Sequence, residues 1–240
     1  MPASTLLLFD IDGTLLRDAS EAHVRALREA LRIVHGVDPS RLRSALAPAG
    51  RTDGEIARSL LLGAGVAAEL IDERADAVRE HCCRLYAELC PPDLSDKVLP
   101  GVPELLDWLS ARADVRLALV TGNFEPVARR KLRAAALLHH FPAGQGGFGS
   151  DSEDRLTLPE IARRRAGTPA QPHPRERTIV IGDTPQDILC ARADSLRCIA
   201  VATGPYRAEQ LSDADTVVAD ALELRRALAG ALAEASKPSG

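Results

Sequence analysis

Four short apolar runs punctuate the chain, at residues 6–9, 115–120, 178–181 and 198–202, each too short for a helix and bounded by turn residues. Unbroken apolar runs suit strands covered by helices on both faces, because a strand with one wet face alternates instead. Helical patterns are predicted between them over 102–109, 125–138, 156–166 and 186–193. Pro103 opens the first of these at a favoured first-turn position. Strand and helix alternate from about residue 97 onward, the pattern of an α/β doubly wound, mostly parallel sheet.

Residues 18–94 break the alternation and read as helices alone. Val24, Leu27, Leu31 and Val34 recur at spacings of three and four and predict one apolar stripe. Ile56, Leu60 and Leu61 continue the pattern, a further helix is expected over 66–89, and Pro91-Pro92 closes the block. The expected organisation is an α/β core over 1–17 and 95–232, an inserted helical domain over 18–94, and a flexible tail over 233–240.

Composition narrows the function classes. A chain of 240 residues with 45% hydrophobic and 27% charged residues has enough apolar material for a sizeable core, which excludes a disordered protein. The net charge of -4 gives no broad basic face, so nucleic acid is excluded as a partner. No apolar run approaches a membrane span and the opening residues lack a signal-peptide pattern, so no membrane partner is expected. Cys82, Cys83, Cys90, Cys190 and Cys198 form no CxxC pair and suit reduced thiols in a cytoplasm. His23, His35, His81, His139, His140 and His173 show no ligand spacing and are expected in surface or packing roles. Residues 144–149 formally fit GxGxxG, but no convincing strand precedes them and no acidic residue comes after them at the right spacing. They are read as a flexible loop or a short glycine-rich strand, and NAD binding is rejected.

The residues directly after each apolar run carry the chemistry. The first run leads into Asp10-Ile11-Asp12-Gly13-Thr14, the second into Thr121-Gly122-Asn123, and the third into Gly182-Asp183-Thr184-Pro185-Gln186-Asp187. Ligands of open parallel sheets bind outside the carboxyl ends of the strands, so Asp10, Asp12, Thr121, Asp183 and Asp187 are expected on one rim. Like charges disfavour one another's ionised forms, and a hard divalent cation such as Mg2+ removes the conflict. Each piece alone also has a plain structural reading: Asp-x-Asp-Gly as a turn, Thr184-Pro185 as a helix cap and first turn.

In this order, each at a strand end, the segments resemble the motifs of the haloacid dehalogenase-like superfamily, on its phosphoglycolate-phosphatase-like branch. The resemblance spans nearly the whole chain, because the helical block falls where that family places a mobile cap. It implies Asp10 as the nucleophile that forms an aspartyl-phosphate and Asp12 as general acid and base. It further implies Mg2+ held by Asp10, Asp183 and the backbone carbonyl of Asp12, with Asp187 just outside, and phosphoryl oxygens held by Thr121, Gly122 and Asn123. The family's usual basic residue, most often lysine, has no evident counterpart. Lys131 lies too early in the chain, and Arg155, opening a later helix, is the candidate. In the expected cap, Arg51 is a candidate for an anionic group on the leaving part of the substrate, and Asp53 reads equally as a helix cap.

The presence of Asp12 favours phosphate chemistry over the dehalogenase branch, and no lysine precedes Lys97 to form the cap Schiff base of phosphonoacetaldehyde hydrolases. A phosphomutase of the β-phosphoglucomutase type shares the same residues and stays open. A phosphoacceptor signalling module or a non-catalytic binding protein is the reading from another class. The expectation is a cytoplasmic Mg2+-dependent phosphatase of a small phosphorylated metabolite, with phosphoglycolate, sugar phosphates and nucleoside monophosphates all open. The sequence says nothing of oligomeric state.

Overall fold

A computed structural model describes residues 4–43, 47–168 and 170–235. Its centre is a six-stranded, all-parallel sheet of β1 (Thr5–Phe9), β2 (Val115–Thr121), β3 (Gly147–Phe148), β4 (Thr178–Gly182), β5 (Arg197–Val201) and β6 (Thr216–Val218). The strands lie in the order β3-β2-β1-β4-β5-β6. The chain builds outward from β1 to one edge and then from β4 to the other, so the order reverses between β1 and β4, where a crevice opens at the carboxyl ends.

Every residue of β1 is buried, and the two-residue period of a strand sorts them onto two cores. Leu7 and Phe9 face α4 (Val102–Ser110), α5 (Glu125–Ala134) and α8 (Ala221–Ala235); Leu6 and Leu8 face α6 (Leu158–Ala166) and α7 (Pro185–Ala193). Each such fully buried side chain contributes roughly 1.5–3 kcal/mol of transfer free energy. A third core lies in residues 18–94, where α1 (Glu21–His35), α2 (Asp53–Gly63) and α3 (Ala68–Leu89) pack together. Phe124 and Val127 at the start of α5 join that third core, so the helical block is seated on the sheet domain through shared apolar contacts. The two connections run side by side: the Arg17 amide donates to the Lys97 carbonyl at 2.9 Å and the Leu99 amide to the Leu15 carbonyl at 3.0 Å.

Several sequence expectations change. Val24 is 51% exposed while Leu27 and Leu31 are buried, so the stripe expected on α1 is carried by Ala26, Leu27, Ala30 and Leu31. The helix expected to reach residue 138 ends at Ala134, because Ala136 takes a left-handed φ of 57°. Residues 155–157 form a 3-10 turn ahead of α6. The edge strand β6 and helix α8 carry no counterpart in the sequence reading. Residues 233–235, expected within a tail, are the last turn of α8, and 236–240 lie outside the described residues. Among the described residues no helix is long and apolar enough to cross a membrane.

Candidate active site

The ends of β1 and β4 are tied together, the Asp10 amide donating to the Ile181 carbonyl at 2.9 Å. The two strands thereby bring the Asp10 and Asp183 side chains, nearly a whole chain apart in sequence, to one point. A carboxylate oxygen from each of Asp10, Asp183 and Asp187 lies within 4.8 Å of the others, and all three residues are buried. Asp187 is held there by a reciprocal cap at the start of α7. Its carboxylate accepts from the Thr184 amide at 3.0 Å and the Thr184 hydroxyl at 2.6 Å.

The charges do not balance. Arg155 is the cation inside the cluster, its Nη2 donating to Asp10 at 3.2 Å and also to Asp187. Burial first, then the neighbouring carboxylates, push Asp183 up to about 9; burial, with Asp187 and Asp12 adding to it against the pull of Arg155, pushes Asp10 up to about 7. Asp183 Oδ2 is buried with no hydrogen-bond partner, although Thr14 Oγ1 donates to its Oδ1 at 3.2 Å. A Cβ on either Gly13 or Gly204 would overlap the Asp183 carboxylate, so both glycines leave the space beside it clear. An orphaned carboxylate oxygen among three converging acids is a donor set that fits a hard divalent cation.

Asp12 stands apart from this cluster. Its carboxylate takes two hydrogen bonds from Lys131 Nζ, at 2.8 and 2.6 Å, and one from Ser20 Oγ at 3.0 Å. Burial works to raise its pKa, but the Lys131 ammonium, joined by His23 and the Ser20 hydroxyl, outweighs it and holds Asp12 below the usual carboxylate range. Lys131 is fully buried, on the face of α5 turned to the rim. Set on the helix that starts beside the Thr121 loop, it reaches Asp12, while Arg155 is the cation beside Asp10. The signal available in the sequence is its rarity, since only Lys97, Lys131 and Lys237 are lysines among 30 basic residues.

Thr121 and Asn123 are buried at the end of β2, with Asn123 Oδ1 lacking a partner. Glycines let other backbone close on this loop. The Gly149 amide donates to the carbonyls of Thr121 and Asn123, both at 3.0 Å, and a Cβ on Gly122 or Gly149 would run into backbone. The glycine-rich run at 144–149 thus forms β3 and its packing on the loop. On the other side sits the helical block: the Asp53 amide donates to the Gly122 carbonyl at 2.8 Å, and the Asp53 carboxylate accepts from the Phe124 amide at 2.7 Å. His23 Nε2 lies 3.1 Å from that same carboxylate oxygen. His23 therefore joins the site's surround, beyond the packing role expected of it. Thr52, not Asp53, caps α2, its Oγ1 accepting from the Glu55 amide at 3.1 Å.

Core rim and helical block enclose a cavity of about 850 Å³ bordered by Asp10, Asp12, Thr121, Arg155 and Asp183 below and Val24, Leu27 and Ile56 above. Arg51 borders it too, but its guanidinium is engaged by Glu55 and by the Ala47 carbonyl at 3.1 Å. The five cysteines are free thiols; burial pushes Cys190 up to about 12 and Cys83 to about 11, which leaves them protonated near neutral pH.

Residues 7–192 match the family model of haloacid dehalogenase-like hydrolases. The chain is 30% identical to the tyrosine-protein kinase PtkA of Mycobacterium tuberculosis, over 93% of its own length and 72% of that protein's. It is 30% identical to the phosphoglycolate phosphatase of Agrobacterium fabrum, over 85% and 82%. Among solved structures, a β-phosphoglucomutase from Clostridium difficile superposes with a TM-score of 0.66 at 18% identity, over 97% of this chain and 98% of that one. A family match over most of the chain, meeting a strand order and an acidic rim of this kind, makes the protein a member of the haloacid dehalogenase-like hydrolases, on their phosphoglycolate-phosphatase-like branch.

Proposed function

We propose that this enzyme hydrolyses a small phosphomonoester through an aspartyl-phosphate on Asp10, with Mg2+ as its cofactor. The observation that carries the reading is the division of labour between two carboxylates at one strand end: Asp10 lies among Asp183, Asp187 and Arg155, while Asp12 is held apart by Lys131. In the first half-reaction an Asp10 oxygen attacks phosphorus and the ester P–O bond breaks. Thr121 and the backbone amides of Gly122 and Asn123 receive the phosphoryl oxygens, and Arg155 neutralises charge as it gathers there. Asp10, Asp183 and the Asp12 carbonyl would hold Mg2+, with Asp187 steadying Arg155 beside them. When bound, the ion supplies a positive charge that offsets repulsion between the carboxylate and the phosphate dianion.

The departing oxygen needs a proton, and Asp12, ionised beside Lys131 in the free enzyme, is read as taking it from the phosphate monoanion as substrate binds. Asp12 gives that proton to the leaving oxygen and returns to the carboxylate that Lys131 holds, which then takes a proton from the water that attacks the acyl phosphate. The helical block is read as the cap, with its boundaries at residues 18 and 94, closing over the rim and excluding bulk water. Arg51 is read as a contact for an anionic group on the leaving part, which requires it to exchange Glu55 for substrate.

Phosphoglycolate is the leading substrate, supported by the Agrobacterium fabrum relative; a reducing cytoplasm suits the free thiols. The name of the Mycobacterium tuberculosis relative favours a second reading, in which a hydroxyl group replaces water as acceptor and phosphate is transferred. The deciding experiment is phosphate release across a panel of phosphometabolites with Mg2+, with Asp10→Asn as blank. Free phosphate equal to substrate consumed and absent from the blank supports hydrolysis; less than one equivalent with a phosphorylated acceptor supports transfer. Activity surviving in Asp10→Asn sinks both.

A further inference from the structure

A second group of ligating side chains lies far from this chemistry. Asp107 sits on α4 near its end, and His139 and His140 occupy the 3-10 turn Leu138–His140 after α5. One ligand atom from each lies within 4.8 Å of the other two. In parallel βα units the end of a helix leads to the start of the next strand. α4 ends ahead of β2, and the histidine turn lies ahead of β3. The group is therefore at the amino ends of the strands, opposite the rim that carries Asp10 and Asp183.

Its details differ from those of a solvated charge cluster. Consecutive side chains ordinarily diverge, yet the rings of His139 and His140 lie side by side, tilted 40° to each other with centroids 3.9 Å apart. His140 is buried, and its Nδ1 lies 2.8 Å from Ser110 Oγ. When the hydroxyl accepts from Nδ1–H, the lone pair falls on Nε2, which points toward Asp107 Oδ1 at 3.7 Å. That separation is too long for a hydrogen bond. It is close to the ~3.4 Å between neighbouring ligand atoms around a tetrahedral ion with bonds of about 2.0–2.1 Å. A fixed tautomer with a partner on the distal nitrogen is how metal-binding histidines are oriented.

We propose that Asp107, His139 and His140 form a binding site for a first-row transition cation, with Zn2+ the fitting ion, that staples α4 to the turn ahead of β3. Two imidazole nitrogens and one carboxylate oxygen are borderline donors that select Zn2+, Co2+ or Ni2+ over the Mg2+ favoured by the all-oxygen rim. Asp107 and His139 are exposed and free to swing the short distance needed to close on an ion, while His140 anchors the site. Three protein ligands leave the fourth position to water.

The test uses the full chain stripped with chelator and held in excess Mg2+, so that the acidic rim is satisfied. Co2+ is titrated and followed by its visible absorption, then displaced with Zn2+. Wild type is compared with His139→Ala and Asp107→Asn, both at exposed positions where folding is undisturbed. The expected result is one equivalent of Co2+ with a tetrahedral or five-coordinate band, bound at least tenfold more weakly in each variant. Zn2+ is expected to raise the melting temperature of wild type alone, and Mg2+-dependent phosphate release from p-nitrophenyl phosphate to be the same in all three proteins. Co2+ affinity unchanged in either variant, which would place the ion on cysteines or on the rim, overturns the site, as does the lack of any saturable binding.

Discussion

The Arg155 guanidinium reaches Asp10 and Asp187 at once from a side chain only 4% exposed, so it is fixed before any substrate arrives. A preset cation of this kind contributes most where charge develops in the transition state. Arg155→Ala is expected to lower kcat/KM by about 100-fold or more while circular dichroism stays that of a folded protein, and Arg155→Lys to recover part of the loss. Lys131 acts on the other carboxylate. Removing its ammonium leaves burial as the largest influence on Asp12, and burial raises a carboxyl pKa. The acidic limb of the kcat/KM–pH profile should therefore move to higher pH in Lys131→Met. An unmoved limb would detach Asp12 from the rate.

At the scale of elements, glycine contacts decide how tightly the helical block and β3 can close on the Thr121 loop. Gly149 donates to two carbonyls of that loop, and a Cβ there would meet backbone at Gly122, which has no side chain to move aside. Gly149→Ala should cost about 2–4 kcal/mol of stability, read from denaturant midpoints, with activity falling further than stability because Thr121 and Asn123 shift together. The same contacts show why the sequence reveals some elements and hides others. Strands β1, β2, β4 and β5 are legible because burial on both faces demands unbroken apolar runs. β6 lies at a sheet edge, half covered and three residues long, and escapes notice; β3 is two residues placed by glycine packing rather than by apolar pattern, so the glycine run reads as either a loop or a short strand. Val24 fits the helical period but borders a cavity instead of a core, since periodicity reports a face without saying what covers it. Asp10, Asp12, Thr121, Asp183 and Asp187 announce themselves as polar residues at strand ends. Lys131 does not, because its partner Asp12 is over a hundred residues away and only the fold brings them together.

Across the whole molecule, the acidic rim links stability to both pH and metal. Asp183 and Asp10 hold protons in the folded chain up to about 9 and about 7, whereas the unfolded chain releases them near the ordinary 3.8. Between those limits the folded state binds more protons than the unfolded one, so this contribution to stability is present at acid pH and drains away as pH rises. Buried histidines push the other way through the same range: His173 and His140 have pKa values lowered mainly by burial, and so favour folding as they become neutral. A melting curve of wild type alone therefore mixes the two trends, and Asp183→Asn separates them. Without divalent metal the melting temperature of Asp183→Asn should exceed that of wild type by a margin that widens from pH 5 to pH 9, because the amide keeps the shape and drops the charge. Saturating Mg2+ should reverse the order, since a cation that binds only the folded state stabilises wild type and finds one ligand missing in the variant. If the margin stays constant with pH and Mg2+ leaves both proteins unmoved, the three converging carboxylates are not a metal site and the phosphoryl chemistry built on them fails with it.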